Sequence, residues 1–206
     1  MRLIHTSLFA ALAVIGLTAC QPQESAQESA APATDAAAEP TVAPDATAGS
    51  VPAAGNSATA ELAPTEGSQV RGSVTFTVVD GRVHAAGEIT GLAPDSEHGF
   101  HIHEKGDCSA PDGSSAGGHF NPAGVAHGSI AAGPHHGGDM PNLKADAQGV
   151  ARVDTPVSSD VNIAGDAAFD IVGKGLIVHA DPDDYTSQPT GNAGGRLACA
   201  VIQATR

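Results

Sequence analysis

Val70-Arg71-Gly72-Ser73-Val74-Thr75-Phe76-Thr77-Val78-Val79-Asp80-Gly81-Arg82-Val83-His84-Ala85-Ala86-Gly87-Glu88-Ile89 is the stretch on which the fold turns. Apolar and polar residues alternate from Val70 to Val78, the period of a strand with one buried face. Asp80-Gly81 follows, a strong signal for a hairpin turn. Val83 to Ile89 can then return as the partner strand. Further short strands are expected at His98 to Glu104, Gly149 to Asp154, Ala168 to Val172, Gly175 to His179 and Leu197 to Gln203. No segment reads as a long helix. Short strands joined by Gly, Pro and Asp turns indicate an all-β antiparallel sandwich or barrel.

This pattern begins near Ala58, and what precedes it is of another kind. Residues 1–19 open on Arg2, continue through an apolar run from Leu8 to Leu17 and end in small residues. That is the layout of a secretory signal, and the run is too short to span a bilayer. Leu17-Thr18-Ala19-Cys20 resembles the lipobox of bacterial lipoproteins. The resemblance implies cleavage before Cys20 and a lipid on its sulfur, with several acyl chains making a stable anchor. Residues 20–57 are dominated by Ala, Pro, Ser, Thr and Glu. Such a segment cannot bury enough apolar surface to offset its ordering entropy, so it is expected to be a disordered tether. The folded domain is expected over 58–206. It holds eight basic and eighteen acidic residues, a net charge of -10, which argues against nucleic acid and anionic membrane surfaces as partners. With Cys20 lipidated, Cys108 and Cys199 remain as an even pair in an exported protein. A disulfide persists there, the alternative being two buried free thiols.

Residues 105–142 do not fit a plain sandwich. They are rich in Gly and Pro, poor in large aliphatics, and hold four of the ten histidines. A structureless stretch of that length in a compact domain is functional or disordered, and a metal is the obvious agent to order it. His101 and His103 flank Ile102 on an expected strand, so both imidazoles project to one side while Phe100 and Ile102 face the core. His119, His127, His136 and Asp139 follow at spacings of eight, nine and three. Three imidazoles and a carboxylate suit a tetrahedral zinc site. His179 ends the apolar run Leu176-Ile177-Val178. Any one of these histidines is more simply a surface or core residue; jointly they are a constellation. His135 competes with its neighbour His136, and the spacing to Asp139 favours His136. His98 reads as a packing or hydrogen-bonding histidine, and His84 as exposed.

His98-Gly99-Phe100-His101-Ile102-His103-Glu104, Gly118-His119-Phe120-Asn121-Pro122, His136-Gly137-Gly138-Asp139 and Gly191-Asn192-Ala193-Gly194-Gly195-Arg196-Leu197-Ala198-Cys199 together resemble the copper/zinc superoxide dismutase family over roughly residues 58–206. The resemblance implies an eight-stranded Greek-key β-barrel with two long metal-site loops. It implies that copper is held by His101, His103, His119 and His179, and zinc by His119, His127, His136 and Asp139, so that His119 is shared. It gives Arg196 the role of guiding the anionic substrate, Asp183 that of orienting a copper and a zinc histidine, and Cys108 and Cys199 a disulfide. The implied activity is dismutation of superoxide to dioxygen and hydrogen peroxide by a redox-cycling copper beside a structural zinc. Imidazole suits both metals. The implied setting is an exported bacterial lipoprotein, periplasmic or anchored in the outer membrane and touching membrane only through its lipid. A homodimer is compatible with the sequence, although no dimer face can be picked out of it. One departure stands out: between Asp184 and Gly191 lie only Tyr185-Thr186-Ser187-Gln188-Pro189-Thr190, where better-known members carry a longer loop with lysines and glutamates. A metal-buffering module or a zinc-only domain on the same fold would not need Arg196 and all the copper positions together.

Overall fold

The computed structural model describes residues 56–205. The signal segment, Cys20 and almost all of the expected tether lie outside the described residues. Ten strands follow in order: β1 (Ser57–Pro64), β2 (Arg71–Val79), β3 (Arg82–Thr90), β4 (Glu97–His98), β5 (Phe100–His103), β6 (Leu143–Lys144), β7 (Ala151–Pro156), β8 (Gly175–His179), β9 (Arg196–Val201) and β10 (Gln203–Ala204). The only helical turn among the described residues is a 3-10 turn at Ser114–Ala116.

The opening hairpin forms as expected. β2 and β3 pair from Arg71↔Thr90 to Val79↔Arg82, and Asp80 and Gly81 both take positive φ, 50° and 79°, the two-residue turn that matches strand twist. Antiparallel pairing then runs β5-β8-β9-β1-β2-β3-β7, with β10 also on β1. The two ends of that ladder are joined by the short β4–β6 pair, because β4 runs into β5 across Gly99 and β6 lies just before β7. Counting β4/β5 and β9/β10 each as one bent strand, eight strands close a barrel. After β3 the chain skips the neighbouring position, which β7 fills later; that crossing is the Greek key.

Alternation decides which side chains fill the barrel. Val74 and Phe76 of β2, Val83, Ala85 and Ile89 of β3, Phe100 and Ile102 of β5, and Leu176 and Val178 of β8 are buried in one apolar cluster. Three of the domain's four phenylalanines, Phe76, Phe100 and Phe120, belong to it. Deleting one such ring costs about 3–5 kcal/mol.

Two expectations from the sequence differ from the structure. β1 was not foreseen: its inward positions are Ala58, Ala60 and Leu62, and alanines carry little strand signal next to an Ala-rich tether. Conversely, Ala168–Val172 is not a strand. Asp166 accepts from the Ala168 N–H and Asp170 from the Val172 N–H, and such local carboxylate turns compete with ladder pairing. Only a single bridge, Asn162↔Asp170, remains there.

The disulfide between Cys108 and Cys199 spans 91 residues of sequence, with Cα atoms 5.8 Å apart. It fastens the segment after β5 to β9 over a small second apolar cluster of Ala116, Ile177 and Cys199.

Candidate metal centre

β5 is the platform of the site. Phe100 and Ile102 point into the barrel, so His101 and His103 project outward. The edge of β5 not paired with β8 is covered by the long loop. Phe120 N–H donates to Ile102 C=O at 2.8 Å, and Ile102 N–H to Gly138 C=O at 2.8 Å. Single bridges place His119 beside His103 and Asp139 beside His101. A Cβ on Gly138 would collide with the Ile102 carbonyl, so this close approach requires glycine. Backbone hydrogen bonding thus brings distant loop residues to the strand that carries the first two histidines.

Two groups of four ligand atoms result, each lying within 4.8 Å of one another: His101, His103, His119 and His179, and His119, His127, His136 and Asp139. All seven residues are buried. His119 is common to both groups.

The tautomers follow from partners that can only accept. His101 Nε2 donates to Asp183 Oδ2 at 2.8 Å, and His127 Nε2 to Asp183 Oδ1 at 3.0 Å. His103 Nδ1 donates to Gly117 C=O at 2.9 Å and His179 Nδ1 to Gly194 C=O at 3.4 Å. Each ring therefore turns its other nitrogen inward. His103 Nε2 and His179 Nε2 face each other at 3.2 Å, two acceptors that need a cation between them. Nδ1 of His101, His127 and His136 and Nε2 of His119 are buried without any hydrogen-bond partner, a costly state unless a metal supplies the missing partner.

The second group fits a small tetrahedral cation. Asp139 Oδ1 lies 2.8, 3.0 and 3.4 Å from Nδ1 of His119, His127 and His136. Ligands about 2.0–2.1 Å from a tetrahedral zinc are about 3.3 Å from one another. Asp139 is aimed by its other oxygen, which accepts from the backbone N–H of His136 at 2.7 Å and of Gly128 at 3.1 Å.

Electrostatics agree. Burial, then the neighbouring His119, holds His103 well below the ordinary histidine range. Burial lowers His119 to about 4 and His179 to about 3, so these rings are neutral and able to ligate at neutral pH. His127 differs. Burial works to lower it, but the carboxylates of Asp139 and Asp183, one beside each ring nitrogen, outweigh burial and raise it to about 9. Asp139 is held far below the usual carboxylate range because the close imidazoles of His119, His127 and His136 and the His136 N–H overcome the cost of its burial. The second pocket thus calls for positive charge.

The remaining expected residues are placed as follows. Arg196 begins β9, its guanidinium donating to Gly113 C=O at 2.5 Å and to Gly117 C=O at 2.6 Å. Gly117 C=O is also the acceptor for His103. His98 bonds to His179 C=O and Ser96 Oγ, the hydrogen-bonding place expected of it. His84 is half-buried beside Asp154. His135 points away from both groups, to Gly133 C=O and Ser158 Oγ. Three residues that the sequence did not single out support the site: Asn142, Tyr185 and Gln188. Asn142 holds the backbone of Asp183 through both ends of its amide, at 2.9 and 3.0 Å. Tyr185 Oη accepts from Asn142 N–H at 2.7 Å. Their partners are more than forty residues away, so no local pattern marks them.

The model of the copper/zinc superoxide dismutase family matches residues 70–202. A copper/zinc superoxide dismutase of Aquifex aeolicus is 45% identical over 115 residues, 55% of this chain and 67% of that protein. Another, of Caulobacter vibrioides, is 41% identical over 136 residues, 64% of this chain and 78% of that one. Among solved structures, the crystal structure of the clock protein EA4 superposes with a TM-score of 0.65 at 40% identity, covering 74% of this chain and 97% of that one. Fold, paired ligand clusters and these likenesses converge, and the chain belongs to the copper/zinc superoxide dismutase family, as a superoxide-dismutating oxidoreductase that uses copper and zinc.

Proposed function

We propose that the two metals sit side by side with His119 as their common ligand. Nδ1 of His101 and Nε2 of His103, His119 and His179 would hold copper; Nδ1 of His119, His127 and His136 and Oδ1 of Asp139 would hold zinc. The observation that carries this reading is His119 itself. It alone belongs to both clusters, its Nδ1 lies 2.8 Å from Asp139, and its buried Nε2 has no protein partner.

Copper, when bound, supplies the one-electron couple that oxidises one superoxide to dioxygen and reduces a second, which leaves as hydrogen peroxide after taking up two protons, while zinc stays redox-inert. His119 Nε2 is the position that can take up and hand on one of those protons, because no protein group competes for it. Asp183 fixes the rings of His101 and His127 from a single carboxylate, the orienting role that outer partners of metal-bound histidines play. Arg196, locked to two carbonyls, offers a fixed positive charge to a small anion. Cys108–Cys199 holds the carbonyl-bearing segment in place.

The reading extends to the whole chain: residues 1–19 direct export, lipidated Cys20 anchors the protein, 20–57 act as a tether, and 58–206 fold as the enzyme in the periplasm or at the outer membrane. Its support is the signal-like sequence, the disulfide, and bacterial relatives of the same family. Elemental analysis of the fully loaded chain, paired with a superoxide assay, tests the centre. One copper and one zinc per chain are expected, and His119→Ala should weaken both. A single metal site at saturation would falsify the shared-histidine reading.

A further inference from the structure

Gln188 lies in the short segment Tyr185–Thr190, which sets this chain apart in the sequence. Its side-chain amide grips the main chain of His127 at both polar groups. His127 N–H donates to Gln188 Oε1 at 2.9 Å, and Gln188 Nε2 donates to His127 C=O at 2.9 Å. The geometry imitates a rung of sheet pairing. His127 has no strand around it, and among the described residues no other hydrogen bond reaches its peptide N–H or its carbonyl. On either side of it the loop is fastened by Asn121, whose amide closes on the backbone of Val125 in the same manner, and by Gly128 N–H, which donates to Asp139 Oδ2 at 3.1 Å.

The loop that carries Gln188 also carries Asp183, which holds the far nitrogen of the His127 ring at 3.0 Å. His127 is therefore clasped by one segment at two points, ring and backbone, while its Nδ1 faces the zinc-type cluster. We infer that Gln188 is a positioning residue of the zinc site, which sets the depth of His127 and couples the order of the 181–195 loop to zinc affinity. This rests on the assignment of His127 to zinc made above. The coupling is reciprocal by linkage: whatever zinc gains from the clasped loop, the loop gains from zinc. Losing an outer partner of a metal ligand commonly weakens the metal by about 10–100-fold.

The test uses the full chain stripped of metal. Zinc affinity is measured by competition with a chromophoric chelator, and cobalt(II) bound in place of zinc is read by its visible absorption. Gln188→Ala should weaken zinc by about tenfold or more and alter the cobalt spectrum. Ser187→Ala, which loses a contact to Asp184 in the same loop but touches nothing at His127, should leave both unchanged. If Gln188→Ala does not fold, Gln188→Glu serves: it still accepts from His127 N–H, cannot donate to its carbonyl, and should also weaken zinc. Unchanged affinity and an unchanged spectrum in the folded variant overturn the proposal. So does an equal loss in Ser187→Ala, which would reduce Gln188 to general loop stability. His127→Ala is the separate control: if it binds zinc as well as the parent chain, the assignment of His127 fails, and the role of Gln188 with it.

Discussion

Arg196 and His103 share one acceptor, the carbonyl of Gly117, at 2.6 and 2.9 Å. The guanidinium is thereby fixed one carbonyl away from a proposed copper ligand. Its two hydrogen bonds are both to main-chain carbonyls, so its charge is not neutralised by an ion pair.

This arrangement makes a prediction about substrate guidance. The 58–206 segment carries a net charge of -10, and residues 181–195 hold Asp181, Asp183 and Asp184 but no Lys or Arg. The distant field of so acidic a domain should repel superoxide, and attraction would then fall to the metals and, as proposed, Arg196 at close range. The rate constant should fall only weakly with ionic strength, or rise slightly as the overall repulsion is screened. Arg196→Glu should slow the reaction at least about tenfold, which needs only about 1.4 kcal/mol, with both metals retained. Pulse radiolysis against salt measures both effects. A steep fall in the parent chain would reveal a funnel built by other lysines such as Lys105 or Lys174.

The two clusters should come apart by mutation. His101 belongs only to the first and His136 only to the second. His101→Ala should abolish copper binding and dismutation yet keep zinc; His136→Ala should lose zinc first. Metal content of each purified variant, with the superoxide assay, checks this. Full activity in His101→Ala would show the ligand assignment to be wrong.

How far the sequence could be read depended on the range of the interaction. His101 and His103 were legible because strand period is local, and the Asp80-Gly81 turn because its residues dictate their own backbone angles. The ligand-rich loop was legible as an anomaly, too long and too poor in aliphatics to be ordered by packing. β1 was hidden because alanines fill its inward face beside β2. Gln188 and Asn142 were hidden for another reason: their partners lie 61 and 41 residues away, and an amide in a turn-rich loop looks like any other solvated side chain.

Gly191 offers a check on how tightly the centre is built. It takes φ 64°, and a Cβ there would collide with Asp183 Oδ1 and His127 Nε2. Gly191→Ala combines an unfavourable backbone angle with that collision, and neither atom can retreat without breaking the bridge from His127 to Asp183. A loss of at least about 1–3 kcal/mol is expected, together with weaker zinc binding. Thermal unfolding and the chelator competition read the two effects. A variant as stable as the parent would show that the bridge has slack the structure does not indicate.

The largest stability effect should come from removing the disulfide and the metals together. In the chain-entropy account, a bond closing a 91-residue span contributes about 4–5 kcal/mol. For a domain of this size that corresponds to about 10–20 °C in melting temperature. The metals add to it by mass action, since the folded chain alone presents the assembled ligands. The two contributions should reinforce each other locally: Cys108 fastens one end of the segment that also carries Gly113, Gly117 and His119, and zinc, bound as proposed, would fasten the other end through His127, His136 and Asp139. Releasing both leaves residues 104–142 with few buried apolar side chains to hold them. Reductant plus chelator should therefore lower the melting temperature more than either alone, and far more than removal of residues 21–57. Calorimetry on the four combinations of reductant and chelator decides the matter: a melting curve that ignores both agents would mean that the barrel core alone sets the stability of this chain.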